Sequence, residues 1–295
     1  MHWKMRFGVS SHIIDQEMTR VIGGTFYNFS TSVPARIKLV EEVAEADAAG
    51  IHQFLIPTVR SCYDQEMLSN EGFSPIPWFV ESIYERRQGV DVDLKMQLSR
   101  SQFKDILRLE RKAAVDFDLE FYDHQKMIKD YSIIQIASEL HQLNINKYSH
   151  AHNFYSEEIL KIILSSAIAK NLLICIRRDK LTRRPVQASI NFVDREKGQL
   201  FQMVQGINHS LVKKGHNLYI AETLQMYRYA ESQGINEIHL GRGAHENKKK
   251  LGANRFHLLN NWILNTKQNI HSELAKLQEA SRQHLMLDVS FHHST

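Results

Sequence analysis

The sequence is poor in cysteine and contains no long run of apolar residues. Its two cysteines, Cys62 and Cys175, lack the CxxC spacing of zinc and redox sites, which excludes a disulfide scaffold and indicates a reducing compartment. No stretch of about 18 apolar residues occurs, which argues against a transmembrane helix. The N-terminal residues MHWKMRFGVSS also lack the apolar core of a signal peptide. We therefore expect a cytoplasmic protein without a membrane partner.

Several motifs of common enzyme classes are missing as well. There is no GxSxG elbow, no P-loop and no GxGxxG run, so hydrolase, kinase and dinucleotide-binding functions lack support. The histidine pairs His150/His152 and His292/His293 lack metal-ligand spacing with a carboxylate or cysteine, and no metal site is predicted. The 37 Lys and Arg residues against 33 Asp and Glu residues give a net charge of +4. This small excess is compatible with a phosphate-bearing ligand and does not require a nucleic acid.

What the sequence does contain is the composition of a folded globular protein. Hydrophobic residues make up 43% of the 295 residues and charged residues 24%, which fits two domains or one large one. Alternating helix and strand patterns in the first half favour an α/β fold, with a layered sheet and flanking helices. The patterns predict strands at 3–10, 51–57 and 78–84, helices at 35–49, 63–70 and 99–114 (with Ser99 as N-cap), a loop at 28–34 and an exposed connection at 86–94.

The second half predicts three consecutive strands with short turns, which indicates an antiparallel meander. Its predicted strands are 171–178, 186–193, 199–205, 237–240 and 255–264, and its predicted helices are 156–169, 217–233 and 266–285. The first turn of the meander is rich in cations, from Arg177 and Arg178 through Lys180 to Arg183 and Arg184. It is interpreted as an exposed turn or, alternatively, as a docking patch for an acidic carrier protein or RNA.

The helix that follows the meander begins with features typical of an anion site. Lys213, Lys214 and Gly215 precede Asn217, which is a plausible N-cap. A helix N-terminus presents unpaired backbone N–H groups, glycine permits close approach, and the lysines add positive charge. The sequence therefore suggests a phosphate or pyrophosphate site here. A capped helix after a solvated loop is the alternative.

The run from Gly206 to Phe256 resembles the C-terminal half of the GNAT acyltransferase fold. More narrowly, it is similar to the branch related to Fem-type aminoacyl transferases. The stretches 68–84 and 98–113 resemble the junction between the two halves of Fem-like proteins. The matching residues are Gly206, Gly215, Gly234, the run His239-Leu240-Gly241-Arg242-Gly243, Lys248 and the pair Leu251-Gly252.

This resemblance implies two GNAT-like domains in tandem, each a mostly antiparallel mixed sheet flanked by helices. The first domain would comprise residues 1–97 and lack a cofactor loop, and residues 98–295 would form the catalytic domain. It also implies transfer of an acyl group from acyl-CoA or an acyl-phosphopantetheine, such as an acyl carrier protein bears, to a small amine or amino-acid-like acceptor. Transfer from an aminoacyl-tRNA is the alternative.

Such chemistry requires a polarised carbonyl, a base and a partner for the leaving group. A backbone N–H within Met203 to Gly206, at the end of the meander, would polarise the carbonyl, and a base would deprotonate the attacking amine. Lys248 occupies the lysine position of the family and would offset negative charge or hold a phosphate. The predicted catalytic residues are Lys248, His239, His245 and Glu246, with His209 nearby, and the predicted cofactor contacts are Gln205, Gly206, Lys213, Lys214, Gly215, Asn217 and Leu218.

Three functional hypotheses follow from the sequence. The first is acyl-thioester-dependent N-acyl transfer by direct attack, because neither cysteine falls in the predicted site. The second is an aminoacyl-tRNA-dependent ligase, and the third is a non-catalytic binding module.

Overall fold

A computed structural model describes residues 19–22, 35–60, 64–146, 153–267 and 271–288. Over these ranges nine strands form one mixed sheet, in the order β1-β2-β9-β3-β8-β7-β6-β5-β4. The strands are β1 Thr19–Val21, β2 Gln53–Arg60, β3 Ser74–Glu85, β4 Phe117–Asp123, β5 Leu172–Asp179, β6 Pro185–Asp194, β7 Gln199–Ile207, β8 Glu237–Arg242 and β9 Arg255–Asn265. The helices are α1 Arg36–Ala48, α2 Gln65–Asn70, α3 Val90–Gln97, α4 Arg100–Asp116, α5 His124–Lys129, α6 Ser132–Ile145, α7 Glu157–Leu164, α8 Leu218–Ser232, α9 His245–Lys249 and α10 His271–Asp288.

The predicted fold class is confirmed, since the sheet is mixed, mostly antiparallel and flanked by helices. The meander is present as predicted, because β5, β6 and β7 pair antiparallel in sequence order. Within the described ranges, none of the helices combines the length and apolarity that a membrane span needs. The predicted strand at 3–10, the loop at 28–34, Cys62 and the two histidine pairs lie outside the described residues.

The chain divides into two compact units that interleave along the sequence. The first lies within residues 1–82, 242–245 and 256–295, and the second comprises 83–241 and 246–255. The expected division was a single boundary between residues 97 and 98, and the two units do not follow it. The expected tandem domains therefore stay a prediction.

The first unit is built around β1, β2 and most of β9. β1 pairs parallel with β2, and β2 pairs antiparallel with β9. The β2–β9 register shifts between Ile56 and Val59, and the N–H of Thr58 in this bulge donates to the side chain of Asn261 at 2.8 Å. Helix α1 packs here through Leu39, and the core around it consists of Ile22, Leu39, Phe54, Ile56, Val59, Leu68, Phe73 and Trp262.

The second unit contains the meander, with helices on both faces of its sheet. Helix α6 packs on β5, β6 and β7 from one face. Gly206 of β7 is required there, because a Cβ on it would lie 2.3 Å from the backbone carbonyl carbon of Leu140 in α6. Helix α8 covers the other face, where it also packs against α4. Arg228 of α8 donates to Glu110 of α4 at 2.7 and 3.0 Å, which joins the two helices.

Helix α4 begins as the sequence predicts, whereas the segment before it does not match the expected exposed connection. Ser99 forms a capping box with Gln102 at the start of α4. The stretch expected to be a loop at 86–94 instead contains the start of α3, with Val90 and Leu94 buried. Asp93 is also buried and accepts hydrogen bonds from the N–H groups of residues 87 and 88, which offsets the cost of burying a carboxylate.

Burial of a histidine on α6 predicts a specific pH dependence of stability. Desolvation lowers the pKa of His141 to about 4, from an ordinary value near 6.5. Between these two pH values the unfolded chain binds a proton that the folded chain does not, so stability falls as the pH falls. From pH 7.5 to pH 5, the free energy of unfolding should drop by about 2 kcal/mol more in the wild type than in His141→Gln. Urea unfolding at both pH values measures this difference.

The exposed His209 supplies the matched control for this experiment. His209→Gln should keep the pH dependence of the wild type, because it replaces an exposed histidine and leaves the buried His141 in place. Equal pH slopes for His141→Gln and the wild type would contradict the account.

Candidate functional site

The two parallel strands of the second unit diverge to form a fork. β7 and β8 are in register only over Gln199–Phe201 and Glu237–His239, although β7 continues to Ile207. Beyond the fork β7 stays paired with β6, with a bulge: Asn191 pairs with Gln202 and Ile190 with Val204, which leaves Met203 as the extra residue. Alternate backbone groups of the diverging segment therefore point away from β6 without a ladder partner in β8. This is where the sequence placed the carbonyl-polarising N–H.

The loop that follows β7 leads to the predicted anion site at the start of α8. Asn217 caps the helix, accepting from the N–H of Ile220 at 3.2 Å, which confirms its predicted role as N-cap. Lys213, Lys214 and Gly215 are exposed just before it. Gly215 has a φ of +85°, a conformation that favours glycine. Helix α8 thus begins directly after an exposed loop that carries two lysines, which we call the basic turn.

A second cation reaches the same turn from α4. The Nζ atom of Lys112 lies 2.8 Å from the position that a Cβ on Gly215 would occupy. The carboxylate of Asp116, at the end of α4, contacts two residues of the loop. It lies 3.6 Å from Lys213 Nζ and 2.9 Å from His216 Nε2. The His216 side chain is only 2% exposed and packs edge-on against Phe117. Helix α4 therefore fixes the conformation of the turn while Lys214 points into solvent-accessible space.

The other predicted cofactor contacts lie around this loop. Gln187 of β6 brings Gln205 and Leu218 together, since its Nε2 donates to Gln205 Oε1 at 3.0 Å and to the Leu218 carbonyl at 3.2 Å. Gly206 faces the backbone of α6, and the lack of a side chain at this position allows α6 to pack closely against β7. Its predicted contact with a cofactor stays a prediction.

His239 lies at the fork itself. It is the last residue of β8 in register with β7, its ring stacks on Phe201 with 4.2 Å between ring centroids, and it is fully buried. Its Nε2 lies 2.9 Å from Glu237 Oε1, and the second oxygen of Glu237 lies 3.7 Å from Arg255 Nη1. The structure thus places an imidazole with a carboxylate partner next to the diverging strands.

Lys248 differs from the two lysines that follow it. Its side chain is buried, and its Nζ donates to the carbonyl of Gly241 at the end of β8, at 2.8 Å. Lys249 and Lys250 are exposed, and Lys249 pairs with the predicted catalytic residue Glu246 at 3.0 Å. Lys248 therefore holds the end of β8 and is the one lysine of this run with a specific buried position.

His245 belongs to the first compact unit and has a different partner. Its Nδ1 lies 2.7 Å from Ser82 Oγ, and both residues are buried. The His245 ring also makes an edge-on contact with Phe256, with 6.4 Å between the ring centroids.

The predicted docking patch on the β5–β6 hairpin is largely neutralised. Arg177 is buried rather than exposed, and pairs with Glu222 of α8. Arg178 and Arg183 bind carboxylates of β4: Arg178 donates to Glu120 at 3.0 Å and Arg183 donates to Glu120 at 2.7 Å. The exposed-turn interpretation fits Lys180 and Arg183, which are exposed and whose charges pair with acidic side chains of β4.

Sequence reasoning missed two groups of residues near the site. Lys112 lies on helix α4, and no sequence signal links it to a turn about a hundred residues later. The polar residues under α8 did leave a signal, because Gln187, Ser189 and Asn191 alternate with apolar residues along β6. That alternation is typical of a strand with one solvated face. Here a helix carrying a buried glutamate covers that face.

Comparison with known proteins supports the fold. No protein-family model and no curated protein matches the chain. Among solved structures, L-PGS from Bacillus licheniformis is 9% identical, with 85% of this chain and 80% of that chain covered and a TM-score of 0.61. The C-terminal domain of a protein named as a lysylphosphatidylglycerol synthetase from Agrobacterium fabrum is 8% identical, covering 85% and 76%, with a TM-score of 0.59.

A tandem GNAT protein from the clavulanic acid biosynthesis pathway is also similar. It is 10% identical, with 79% of this chain and 70% of that chain covered and a TM-score of 0.47. At such low identity these likenesses concern the fold alone. The chain has an α/β architecture similar to that of L-PGS and of the Agrobacterium fabrum domain.

Proposed function

We propose that the protein is an acyltransferase that moves an acyl group from an acyl thioester, acyl-CoA or an acyl carrier protein, to a primary amine. The observation that carries this proposal is the combination of the β7–β8 fork with the basic turn before α8. Among the described residues, the fork offers a carbonyl backbone groups of β7 that have no ladder partner in β8, and the turn offers N–H groups and lysines to phosphates. The loop of residues 208–217 joins these two features directly.

The chemistry can be assigned to groups of this chain. The amine nitrogen attacks the acyl carbonyl, a carbon–nitrogen bond forms, and the carbon–sulfur bond breaks as the thiolate leaves. A backbone N–H beside Met203 stabilises the oxyanion, and His239 at the fork is the candidate to take the proton that the amine loses. Burial raises the pKa of the Cys175 thiol, so this cysteine stays protonated and is unsuited to a covalent intermediate.

An aminoacyl-tRNA donor is the second candidate. It is favoured by the structural neighbour named as a lysylphosphatidylglycerol synthetase, with a TM-score of 0.59, because the lysyl group in that name is an aminoacyl group. The same turn would then bind the terminal phosphates of the tRNA, and a ribose hydroxyl in place of a thiol would leave the carbonyl. The resemblance to Fem-type transferases points the same way.

A donor panel tests the proposal. Purified protein is incubated with a mixture of primary amines and amino acids and, separately, with acetyl-CoA, longer acyl-CoAs, an acylated carrier protein, and tRNA charged with labelled amino acids. The proposal predicts amine-dependent release of free thiol with a thioester donor. Loss of label from charged tRNA, abolished by ribonuclease, would instead select the second candidate.

Two outcomes would contradict the proposal. Consumption of no donor by the folded protein would favour a non-catalytic binding module. If His239→Ala and Lys248→Ala consumed donor as fast as the wild type, the protein would be an acyltransferase, but the assignment of these two residues to its site would be wrong. The exposed Lys250→Ala, two residues from Lys248, serves as the matched control.

A further inference from the structure

A continuous polar network lies buried between the sheet and α8 in the second unit. Glu222, in the second turn of α8, accepts from Arg177 Nη2 at 3.1 Å and from Ser189 Oγ at 2.6 Å. Arg177 Nε donates to Gln187 Oε1 at 3.0 Å. All four side chains are at most 2% exposed. The network therefore consists of one buried ion pair, Arg177–Glu222, with one neutral side chain hydrogen-bonded to each of its members.

The register of the meander explains why these residues meet. Arg177 of β5 is directly opposite Gln187 of β6, and Ser189 is directly opposite Gln205 of β7. Residues opposite each other in antiparallel strands point to the same face, so all of them point toward α8. The other face of the same strands, under α6, is apolar, with Ile174 and Ile190 buried there. A buried charge pair is thus confined to the face that carries α8.

The network ends on the two features of the proposed site. Through its Nε2, Gln187 bonds both Gln205, two residues beyond the Met203 bulge, and the carbonyl of Leu218, the first residue of α8. One amide group thereby links the diverging segment of β7 to the helix end that follows the basic turn. Its other end, Oε1, is held by the guanidinium of Arg177, which is itself fixed by Glu222.

We infer that Arg177, Glu222 and Gln187 are positioning residues that set the distance between the diverging segment of β7 and the first turn of α8. This inference rests on the proposed function, in which the former holds the reacting carbonyl and the latter the donor phosphates. A donor that bridges two such points reacts only when both are held at the correct spacing, and a misplacement of about 1 Å can cost roughly 100-fold in rate. Uniform packing of apolar side chains would leave helix α8 free to slide over the sheet, whereas directional hydrogen bonds fix its register.

Gln187→Met tests this inference, because it removes the linking amide with little change in side-chain volume and keeps both charges of the Arg177–Glu222 pair, while Arg177 Nε loses its acceptor. The matched control is Asn191→Leu, a polar-to-apolar change on the same face of the same strand. Asn191 bonds Ser189 and the carbonyl of Leu173, and none of its described bonds involves Gln205 or the first turn of α8.

Two measurements are made on each folded variant. Hydrogen exchange of the backbone amides in 204–207 and in 221–224, where the helical hydrogen bonds of α8 begin with Ala221 N–H to the Asn217 carbonyl, should become at least about tenfold faster in Gln187→Met and stay near wild type in Asn191→Leu. With the donor identified by the panel above, kcat of Gln187→Met should fall about tenfold or more while KM for that donor changes less than about threefold.

The possible outcomes separate this inference from the proposed function. Unchanged exchange in Gln187→Met, or faster exchange with unchanged kcat, would overturn the positioning role. Equal effects in Asn191→Leu would also overturn it, since a general loss of polar packing would then explain both variants. A wild-type protein that consumes no donor refutes the proposed function, and the exchange data then still decide whether the network links β7 to α8.

Discussion

Glu222→Gln should lower the free energy of unfolding by about 3 to 5 kcal/mol. The substitution leaves the Arg177 guanidinium without its counter-charge in a place where it is 2% exposed. The large penalty reflects the uncompensated charge, because removing one partner of a buried pair does not return the other to water. Urea unfolding at neutral pH measures the loss.

The double variant Arg177→Met/Glu222→Gln distinguishes this cause from a simple loss of packing. Removing both charges should recover most of the stability, to within about 2 kcal/mol of the wild type, because two desolvation penalties disappear together. If Glu222→Gln lost less than about 1 kcal/mol, or if the double variant were the sum of the single ones, the pair would not be buried as described.

Neutralising the basic turn before α8 should weaken donor binding by at least about tenfold. Lys213→Gln/Lys214→Gln removes two positive charges from the exposed turn beside Gly215. Each charge near a phosphate in water contributes about 1 kcal/mol at 4 Å, and the two together exceed the 1.4 kcal/mol of a tenfold change. Titration calorimetry with CoA, or with charged tRNA if the panel selects it, measures the dissociation constant.

The control for this experiment has the same change in net charge at the other end of β7. Lys197 lies in the turn before β7, and the exposed Lys170 lies near that end of the sheet, next to Glu196 at 4.0 Å. Lys170→Gln/Lys197→Gln should bind the donor as the wild type does. Added salt should weaken binding to the wild type more than to Lys213→Gln/Lys214→Gln, because fewer charges remain to be screened. Equal losses in both double variants would mean that only the overall charge matters.

The elements of the second half could be predicted because their local signals agree with their environment. The meander and α8 with its Asn217 cap carry strong local patterns and are found where expected, and the same holds for the Ser99 cap of α4 in the first half. The prediction of an exposed connection at 86–94 was wrong, because it assumed that charged residues such as Asp93 are exposed, as they usually are. In the fold this carboxylate is buried to accept backbone N–H groups, a role that depends on tertiary structure.

The candidate site was predictable only in part, for a similar reason. The sequence identified the turn at Lys213–Asn217, since a helix start and its neighbours are local. Arg177 was grouped with its neighbours in a surface hairpin, although a residue 45 positions later, Glu222, holds it in the interior. Pairings of this kind depend on strand register and helix placement, which one sequence does not specify.

A crystal structure of the protein with its donor bound would show directly whether the basic turn binds the donor phosphates and the fork binds the donor carbonyl. The account predicts donor phosphates within hydrogen-bond distance of the backbone N–H groups around Gly215 to Tyr219, and the donor carbonyl beside Met203 at the β7–β8 fork. A donor whose phosphates lie away from the start of α8, or whose carbonyl is remote from the fork, would contradict it.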